Sequence, residues 1–179
     1  MTADSQNHHS NSQIEPETLL FRDDGAIPNS ALPALLYRRA FDPETHALAS
    51  VLEKCFASNG WTDAWQGGVY GFHHFHSTAH EVLGVCRGRA NLHLGGKKGG
   101  KCDVRTGDVL ILAAGTGHQC ADSSQDFTVV GAYPEGCSPD LLRGKPGERP
   151  AADRNMAAVP VPQADPLYGP EGPLRKHWK

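Results

Sequence analysis

Residues 68–88, GVYGFHHFHSTAHEVLGVCRG, decide the fold of this chain. In an extended strand, alternate side chains lie on the same face. The spacing therefore predicts that His74 and His76 share one face of a strand. Tyr70 and Phe72 fall on that same face, which predicts that both aromatic side chains line the interior beside the two imidazoles.

A second strand is expected after a turn at residues 77–79. On it, Glu81, Leu83 and Val85 share the apolar face. An ionised carboxylate in an apolar interior is very costly unless it is paired. Two neighbouring imidazoles suit it only if a cation lies between them, and imidazole with carboxylate suits Fe, Mn, Ni, Co, Cu or Zn. The pattern thus predicts one divalent transition metal, whose identity the ligand types do not determine.

A third imidazole comes from a later segment, GDVLILAAGTGH, at residues 107–118. An apolar strand ends at Leu112, and a glycine-rich turn follows. His118 then begins the next strand. This order predicts that His118 reaches the same point from a different part of the β region.

The first segment resembles the first motif of the cupin superfamily: glycine, five residues, His-x-His, three or four residues, glutamate, six residues and glycine. The chain has Gly68, His74, His76, Glu81 and Gly88 at these intervals. Four residues separate the second histidine from the glutamate, which is within the family's range.

The second segment resembles the second cupin motif: glycine, five residues, proline, any residue, glycine, two residues, histidine, three residues and asparagine. Gly107, Gly115 and His118 are in place, whereas Ala113 stands where proline is usual and Asp122 where asparagine is usual. Neither departure falls on a metal ligand of the family.

The resemblance implies a mainly β fold, a small jelly-roll cupin β-barrel, with its metal-site core at about residues 65–133. It implies a metal held by His74, His76, Glu81 and His118. The STAHEVLGV stretch and the C-terminal segment that contains Asp153-Arg154-Asn155 also resemble a subgroup of single-domain cupins, the YjlB-like proteins.

Other polar residues of these segments have two readings each. His80 precedes Glu81, so it is expected on the outer face or in the loop; the alternative is a ligand or a proton carrier. His73 immediately precedes His74, so it is also expected on the outer side, and His93 is expected on the surface.

Tyr70 and His80 are the candidates for moving a proton, and a core aromatic is the alternative for Tyr70. Cys120 shares the face of His118 and is either a pocket residue or a small core residue.

The rest of the chain falls into three zones. Residues 1–13 contain almost nothing that can be buried and are expected to be a disordered tail, whereas residues 14–179 are expected to form the cupin domain. A helix is predicted over about 43–58, with Asp42 as its N-cap.

Residues 134–179 hold nine of the 13 prolines. Their apolar side chains predict a segment that wraps the barrel or a partner subunit; a flexible linker is the alternative.

Composition excludes several classes of partner. The net charge is −3 and basic residues do not cluster along the chain, so no nucleic acid is expected. No apolar run approaches the roughly 18 residues of a membrane span. Five cysteines without a CxxC pair indicate reduced thiols, and with no signal-peptide pattern the chain is expected in the cytoplasm.

Four protein ligands leave two positions open on an octahedral metal ion, which a catalytic metal needs. One hypothesis is therefore a metal-dependent enzyme, an oxygenase or isomerase, acting on a small molecule. A non-catalytic module that binds or senses a small ligand is the alternative, and a structural barrel with a vestigial site is the third. Exposed sheet edges favour a homodimer over a monomer.

Overall fold

The computed structural model describes residues 13–179. Residues 1–12, which hold nearly all of the predicted tail, lie outside the described part. The elements, in chain order, are β1 Glu17–Leu19, β2 Ala34–Tyr37, α1 Leu48–Ser58, β3 Trp61–Gly67, β4 Glu81–Arg87, β5 Arg89–Leu94, β6 Gly100–Arg105, β7 Val109–Leu112, β8 His118–Ser123, β9 Thr128–Pro134, α2 Ala151–Ala158 and α3 Leu174–His177. Among these residues, no helix has both the length and the apolar character to cross a lipid bilayer.

The fold is mainly β, with two antiparallel sheets packed face to face as in a cupin jelly roll. The larger sheet has the order β1-β2-β7-β4-β9-β3, and the smaller has the order β6-β5-β8. Apolar side chains of both sheets meet in one buried cluster, among them Leu83 and Leu110 of the larger sheet and Leu92 and Val104 of the smaller. This cluster is the interior that the alternating strands predict.

The side chains of strand β5 alternate between the buried interior and the outer face. Ala90, Leu92 and Leu94 are buried, whereas Arg89 is exposed. His93, expected on the surface, is half-buried. In β4, Leu83 likewise faces the interior between the two sheets.

The outer face of the larger sheet is also covered, so β4 is buried on both sides. Leu52 and Phe56 of α1 pack on this face in a second apolar cluster. Gly84 permits the contact, because a Cβ built there would lie 2.8 Å from Leu52 Cδ2 and 3.0 Å from Phe56 Cζ. Any larger residue at position 84 would push α1 away from the sheet.

The proline-rich C-terminal segment wraps this outer face, as expected, and the flexible-linker alternative is wrong. The fully buried Asp165 carboxylate organises the segment. Its Oδ2 accepts a 2.5 Å hydrogen bond from the Tyr37 hydroxyl and a 3.1 Å bond from the Leu174 N–H. Its Oδ1 accepts bonds from the N–H groups of Leu167 and Tyr168. These four donors satisfy the buried carboxyl group, which has no cationic partner among residues 13–179.

The predicted helix begins later than expected. It starts at Leu48 rather than 43, because Ala47 adopts a left-handed conformation with φ 52° that interrupts the helical path. Asp42 is not its N-cap; its carboxylate accepts a bond from the Glu44 N–H within a local turn. The helix ends at Ser58, as predicted, and Asn59 is its C-cap.

Residues 68–76 do not form the regular strand that their alternation predicts. The strand before the metal motif is β3, which ends at Gly67. The motif itself is held by two single bridges, His74 to His118 and Phe75 to Leu142. Two short helices, α2 and α3, interrupt the C-terminal segment and were not predicted. Local spacing indicates which side chains alternate, but hydrogen bonding to distant segments decides whether a ladder forms.

Candidate metal centre

Three histidines converge at one end of the space between the sheets. His74, His76 and His118 each offer a nitrogen, and these atoms all lie within 4.8 Å of one another. Two backbone hydrogen bonds hold His74 beside His118. The His74 N–H donates to the His118 carbonyl at 3.1 Å, and the His118 N–H donates to the His74 carbonyl at 2.9 Å. Glu81, the first residue of β4, lies beside them. The four residues predicted as metal ligands are thus brought together.

Each of the three imidazoles is oriented through its Nδ1 atom. His74 Nδ1 lies 3.1 Å from the Phe72 carbonyl, and His118 Nδ1 lies 3.0 Å from the Thr116 carbonyl. His76 Nδ1 contacts the Asp140 carbonyl. A carbonyl only accepts, so we assign the proton to Nδ1 in each ring. The Nε2 lone pairs remain free, which is the arrangement found in metal-ligating histidines.

Glu81 supplies the negative charge of the cluster. Its Oε2 lies 3.4 Å from His76 Nε2 and 3.3 Å from His118 Nε2. The carboxylate is buried, and Oε2 has no hydrogen-bond donor among the described residues. A buried carboxylate that faces lone pairs requires a cation between them. The donor set of three nitrogens and one carboxylate oxygen fits a divalent transition metal.

The pKa values show how the cluster behaves when a proton is the only cation. Burial, together with the neighbouring His118, lowers the pKa of His74 to about 3. Burial also acts to lower the pKa of His76, but the adjacent Glu81 carboxylate outweighs it and the pKa rises. Burial acts to raise the pKa of Glu81, yet the close imidazoles of His118 and His76 bring it below its ordinary value. A proton therefore competes with a metal for His76 rather than for His74.

The ligands open into a cavity of about 370 Å³. Its remaining walls are largely apolar or aromatic, and none of its lining residues is an arginine or a lysine: Trp65, Gly68, Val69, Tyr70, Leu83, Tyr133, Pro139, Asp140 and Leu141. Tyr70 is 54% exposed and Leu141 is 48% exposed. These two side chains therefore form the rim, and the cavity opens to solvent between them.

Tyr133 and Trp65 form a hydrogen-bonded pair in the wall. The Trp65 indole N–H donates to the Tyr133 hydroxyl at 2.9 Å. Burial and the negative charge of Glu81 raise the pKa of Tyr133, so its hydroxyl keeps its proton. Gly131 makes the pair possible, because a Cβ there would lie 2.2 Å from the Trp65 ring. Tyr133 can therefore donate a hydrogen bond near Glu81.

Asp140 ties the loop after β9 to the metal motif. Its Oδ1 accepts a 2.6 Å bond from the Ser77 N–H, and its Oδ2 accepts a 2.5 Å bond from the Ser77 hydroxyl. The Asp140 N–H in turn donates to the Thr78 hydroxyl at 2.9 Å. The carbonyl that orients His76 is thus fixed by three further bonds of the same residue.

The structure places the other candidate residues apart from the ligands or at the rim. Tyr70, expected in the interior, lies at the mouth and meets the edge of His74 at a ring-centre distance of 5.1 Å. His80 is buried, but on the opposite side of the strand from the cavity, where its Nδ1 accepts the Ala114 N–H at 2.9 Å. Its ring lies 4.6 Å from that of Trp178. His80 therefore lies on the outer side, as its first interpretation expects, and does not reach the cavity as a proton carrier would.

His73 and Cys120 are not among the residues that line the cavity. His73 packs against His93 with a ring-centre distance of 5.0 Å. Cys120 packs on the apolar cluster between the sheets, as its core interpretation expects. All five cysteines are free thiols.

Three residues of the site were not identified from sequence: Trp65, Tyr133 and Asp140. Tyr133 lies on β9 in phase with Val129 and Gly131, so the alternation of that strand could have placed it inside. Asp140 gave no local signal, because its partners Ser77 and Thr78 are more than 60 residues away in the chain.

Comparison with known proteins gives one close relative in sequence. The chain is 38% identical over 165 residues to the uncharacterised protein YjlB of Bacillus subtilis (strain 168), an alignment that covers 92% of this chain and 97% of that protein. No family model matches the chain.

Solved structures resemble the chain only distantly. Acireductone dioxygenase from Bacillus anthracis, with a cadmium ion in its active centre, is 12% identical with a TM-score of 0.40; the match covers 60% of this chain and 82% of that one. A double-stranded β-helix protein from Klebsiella pneumoniae is 15% identical with a TM-score of 0.36, over 80% and 98% of the two chains. The motif spacing, the two-sheet fold and the identity to YjlB agree: the chain belongs to the cupin superfamily, in the same family as YjlB.

Proposed function

We propose that this protein is a metal-dependent enzyme, an oxygenase or an isomerase, that acts on a small uncharged organic molecule. The metal is one divalent transition ion, and its ligands are His74, His76, Glu81 and His118. The observation that carries this proposal is the buried Glu81 Oε2, which lies 3.3–3.4 Å from two imidazole nitrogens and has no donor among the described residues.

The metal, when bound, supplies an electrophilic centre with open positions that polarises a substrate or activates oxygen. The protein's own residues do the remaining work. The carbonyls of Phe72, Thr116 and Asp140 fix the imidazoles with their Nε2 atoms inward. Tyr133 keeps a proton on its hydroxyl and offers it as a hydrogen bond to a ligand in the cavity.

The cavity wall favours an uncharged substrate with apolar or aromatic surface. The side chains of Trp65, Val69 and Leu83 offer apolar contact, and an anionic substrate would find no arginine or lysine among the lining residues. The volume of about 370 Å³ is in the range of cavities that hold small organic ligands. The open rim at Tyr70 supports access from solvent, which argues against a vestigial site.

Metal content and turnover test the proposal together. The purified protein is expected to carry close to one transition-metal ion per chain by plasma mass spectrometry, and Glu81→Gln to carry far less. Glu135→Gln, at an exposed position outside the cavity, is the matched control. A metal content that is equal in Glu81→Gln and Glu135→Gln contradicts the ligand assignment.

Turnover separates the enzyme from a binding module on the same fold. Protein reconstituted with Fe, Mn, Ni, Co, Cu or Zn is tested for oxygen uptake against phenols, thiols and keto acids, and for isomerised products by mass spectrometry. Product formed by the wild type and lost in Glu81→Gln supports the enzyme. Tight binding of a compound without turnover with any metal favours the sensing or binding module.

A homodimer remains a prediction. The larger sheet ends in β1 and β3, and the smaller sheet has β6 at one edge, so unpaired strand edges exist for a second copy to pair with. Sedimentation equilibrium of the full chain, with a mass of 19.2 kDa for the monomer, decides between the two states.

A further inference from the structure

The end of the fold opposite the candidate metal centre carries a local concentration of positive charge. Five of the ten arginines of the chain, and none of its lysines, fall at the turns of this end: Arg38, Arg39, Arg87, Arg89 and Arg105. The chain as a whole has a net charge of −3. This local concentration of one cationic side chain arises because three separate turns meet here, after β2, between β4 and β5, and between β6 and β7, and it is not visible as a basic run in the sequence.

Three of these arginines line one cleft. The cleft has a volume of about 410 Å³, and its walls include Arg39, Arg89 and Arg105 with the hydroxyl residues Thr106 and Ser124. None of its lining residues is an acid. We call this cleft the arginine cleft.

The guanidinium groups of the arginine cleft have no partner in the part of the chain that the structure describes. Arg38, just outside it, pairs with Glu17 at 3.0 Å and with Asp108 at 3.3 Å. Among the described residues, Arg39, Arg89 and Arg105 make neither an ion pair nor a side-chain hydrogen bond. Their donors are therefore available to a ligand, and several like charges gathered in one cleft favour an anion.

The backbone beneath these arginines is held in place by a buried acid. Asp108 is 1% exposed. Its Oδ1 accepts the Arg39 N–H at 2.9 Å, and its Oδ2 accepts the Arg105 N–H at 3.1 Å. Arg39 adopts φ 49°, a conformation that costs a non-glycine residue energy and that the surrounding structure must enforce. Asp108 thus fixes two of the three arginines relative to each other.

We propose that the arginine cleft binds a small oxyanion, a phosphate group above all. Guanidinium groups bind phosphate through two parallel N–H donors. The hydroxyls of Thr106 and Ser124 already donate to the carbonyls of Gly88 and Arg89, so the arginines supply the donors. An extended polyanion such as a nucleic-acid strand fits less well. The adjoining cleft shares Arg89 and Arg105 but also contains Asp103 and Asp122, which would repel a continuing phosphate chain.

Backbone amide spectra of the ¹⁵N-labelled full chain test this proposal with inorganic phosphate as the probe, at constant ionic strength against sodium chloride. Resonances of Gly88, Thr106 and Ser124 are expected to shift and saturate with phosphate, and the Arg89→Gln/Arg105→Gln double variant is expected to bind at least about tenfold more weakly. Arg22→Gln/Arg154→Gln, at two exposed arginines away from the cleft, removes the same charge and is expected to bind as the wild type does.

Further variants keep the result interpretable. Arg89→Lys/Arg105→Lys retains the charge but loses the bidentate geometry, so weaker phosphate binding in a folded protein supports the proposal even if the glutamine variant fails to fold. The same titration with acetate in place of phosphate shows whether the cleft binds a carboxylate more tightly than a phosphate. Equal phosphate affinity in the cleft and control variants overturns the proposal, as does tighter binding of a short single-stranded oligonucleotide through the same arginines.

Discussion

Replacing Glu81 by glutamine should stabilise the metal-free protein and reduce the stabilisation that the metal provides. In the metal-free state, Glu81 Oε2 is buried and lacks a donor. An unsatisfied buried group costs about 1–3 kcal/mol, and more when it is charged. The glutamine amide removes the charge and can donate to the imidazole lone pairs. We expect metal-free Glu81→Gln to gain about 1–3 kcal/mol, or roughly 2–10 °C in Tm for a domain of this size.

Metal shifts the difference in stability back towards the wild type. A metal at 100 times its Kd stabilises the wild type by about 2.7 kcal/mol. Loss of residues that only support a ligand already costs about 10–100-fold in metal affinity, so loss of the charged ligand itself should cost at least about 100-fold. At the same metal concentration the variant then gains only about 0.4 kcal/mol.

The difference between the metal-free proteins should also depend on pH. The pKa of His76 is raised by Glu81, so the His76–Glu81 pair stabilises the fold below the ordinary histidine pKa and this stabilisation is lost as the pH rises through the raised value. The advantage of Glu81→Gln should therefore be larger at pH 9 than at pH 6.

Differential scanning calorimetry with chelator and with added metal measures both effects, with Glu135→Gln as control. The reasoning is refuted if metal-free Glu81→Gln melts below the metal-free wild type at pH 9, or if metal raises the Tm of both proteins equally.

Three further predictions follow from other contacts. Asp140→Ala removes the side chain that fixes the loop orienting His76 and should weaken metal binding about 10–100-fold by competition with a chelator, whereas an unchanged Kd would mean that the loop does not position the ring. His80 is buried with a pKa of about 4, so the metal-free wild type should lose about 3 kcal/mol of stability as the pH falls from about 6.5 to 4; urea unfolding should show a smaller loss for His80→Asn, and equal losses would contradict the assignment. Tyr37→Phe leaves Asp165 without its 2.5 Å donor and should cost about 1–3 kcal/mol in urea unfolding, with faster proteolysis of the C-terminal segment; normal resistance to protease would show that this bond does not hold the segment.

The four candidate ligand positions could be brought together from the sequence because they belong to short motifs. The intervals from Gly68 to Gly88 and from Gly107 to His118 lie within segments of 21 and 12 residues, and the alternation of β4 places Glu81 on the inner side. Periodicity is a local property, so it reports which face a side chain takes once a strand is given. The strand predicted for residues 68–76 was wrong, because single bridges to His118 and Leu142 take the place of a continuous strand ladder there.

Contacts between distant segments account for what the sequence left open. Asp140 reaches Ser77 across 63 residues, Trp65 reaches Tyr133 across 68, and Tyr37 reaches Asp165 across 128. The side chains involved are ordinary in type and spacing, so each has many equally plausible partners when only the sequence is known.

The sequence by itself determined the family, the four candidate ligand positions and the alternating strands, because each depends on residue type at short and regular spacing. Only the tertiary structure decided which imidazole nitrogen faces the cavity, what covers the outer face of the larger sheet, and that arginines from separate turns meet in one cleft. Those features depend on how strands cross and where turns come together, and that geometry is fixed by the packing of the whole chain.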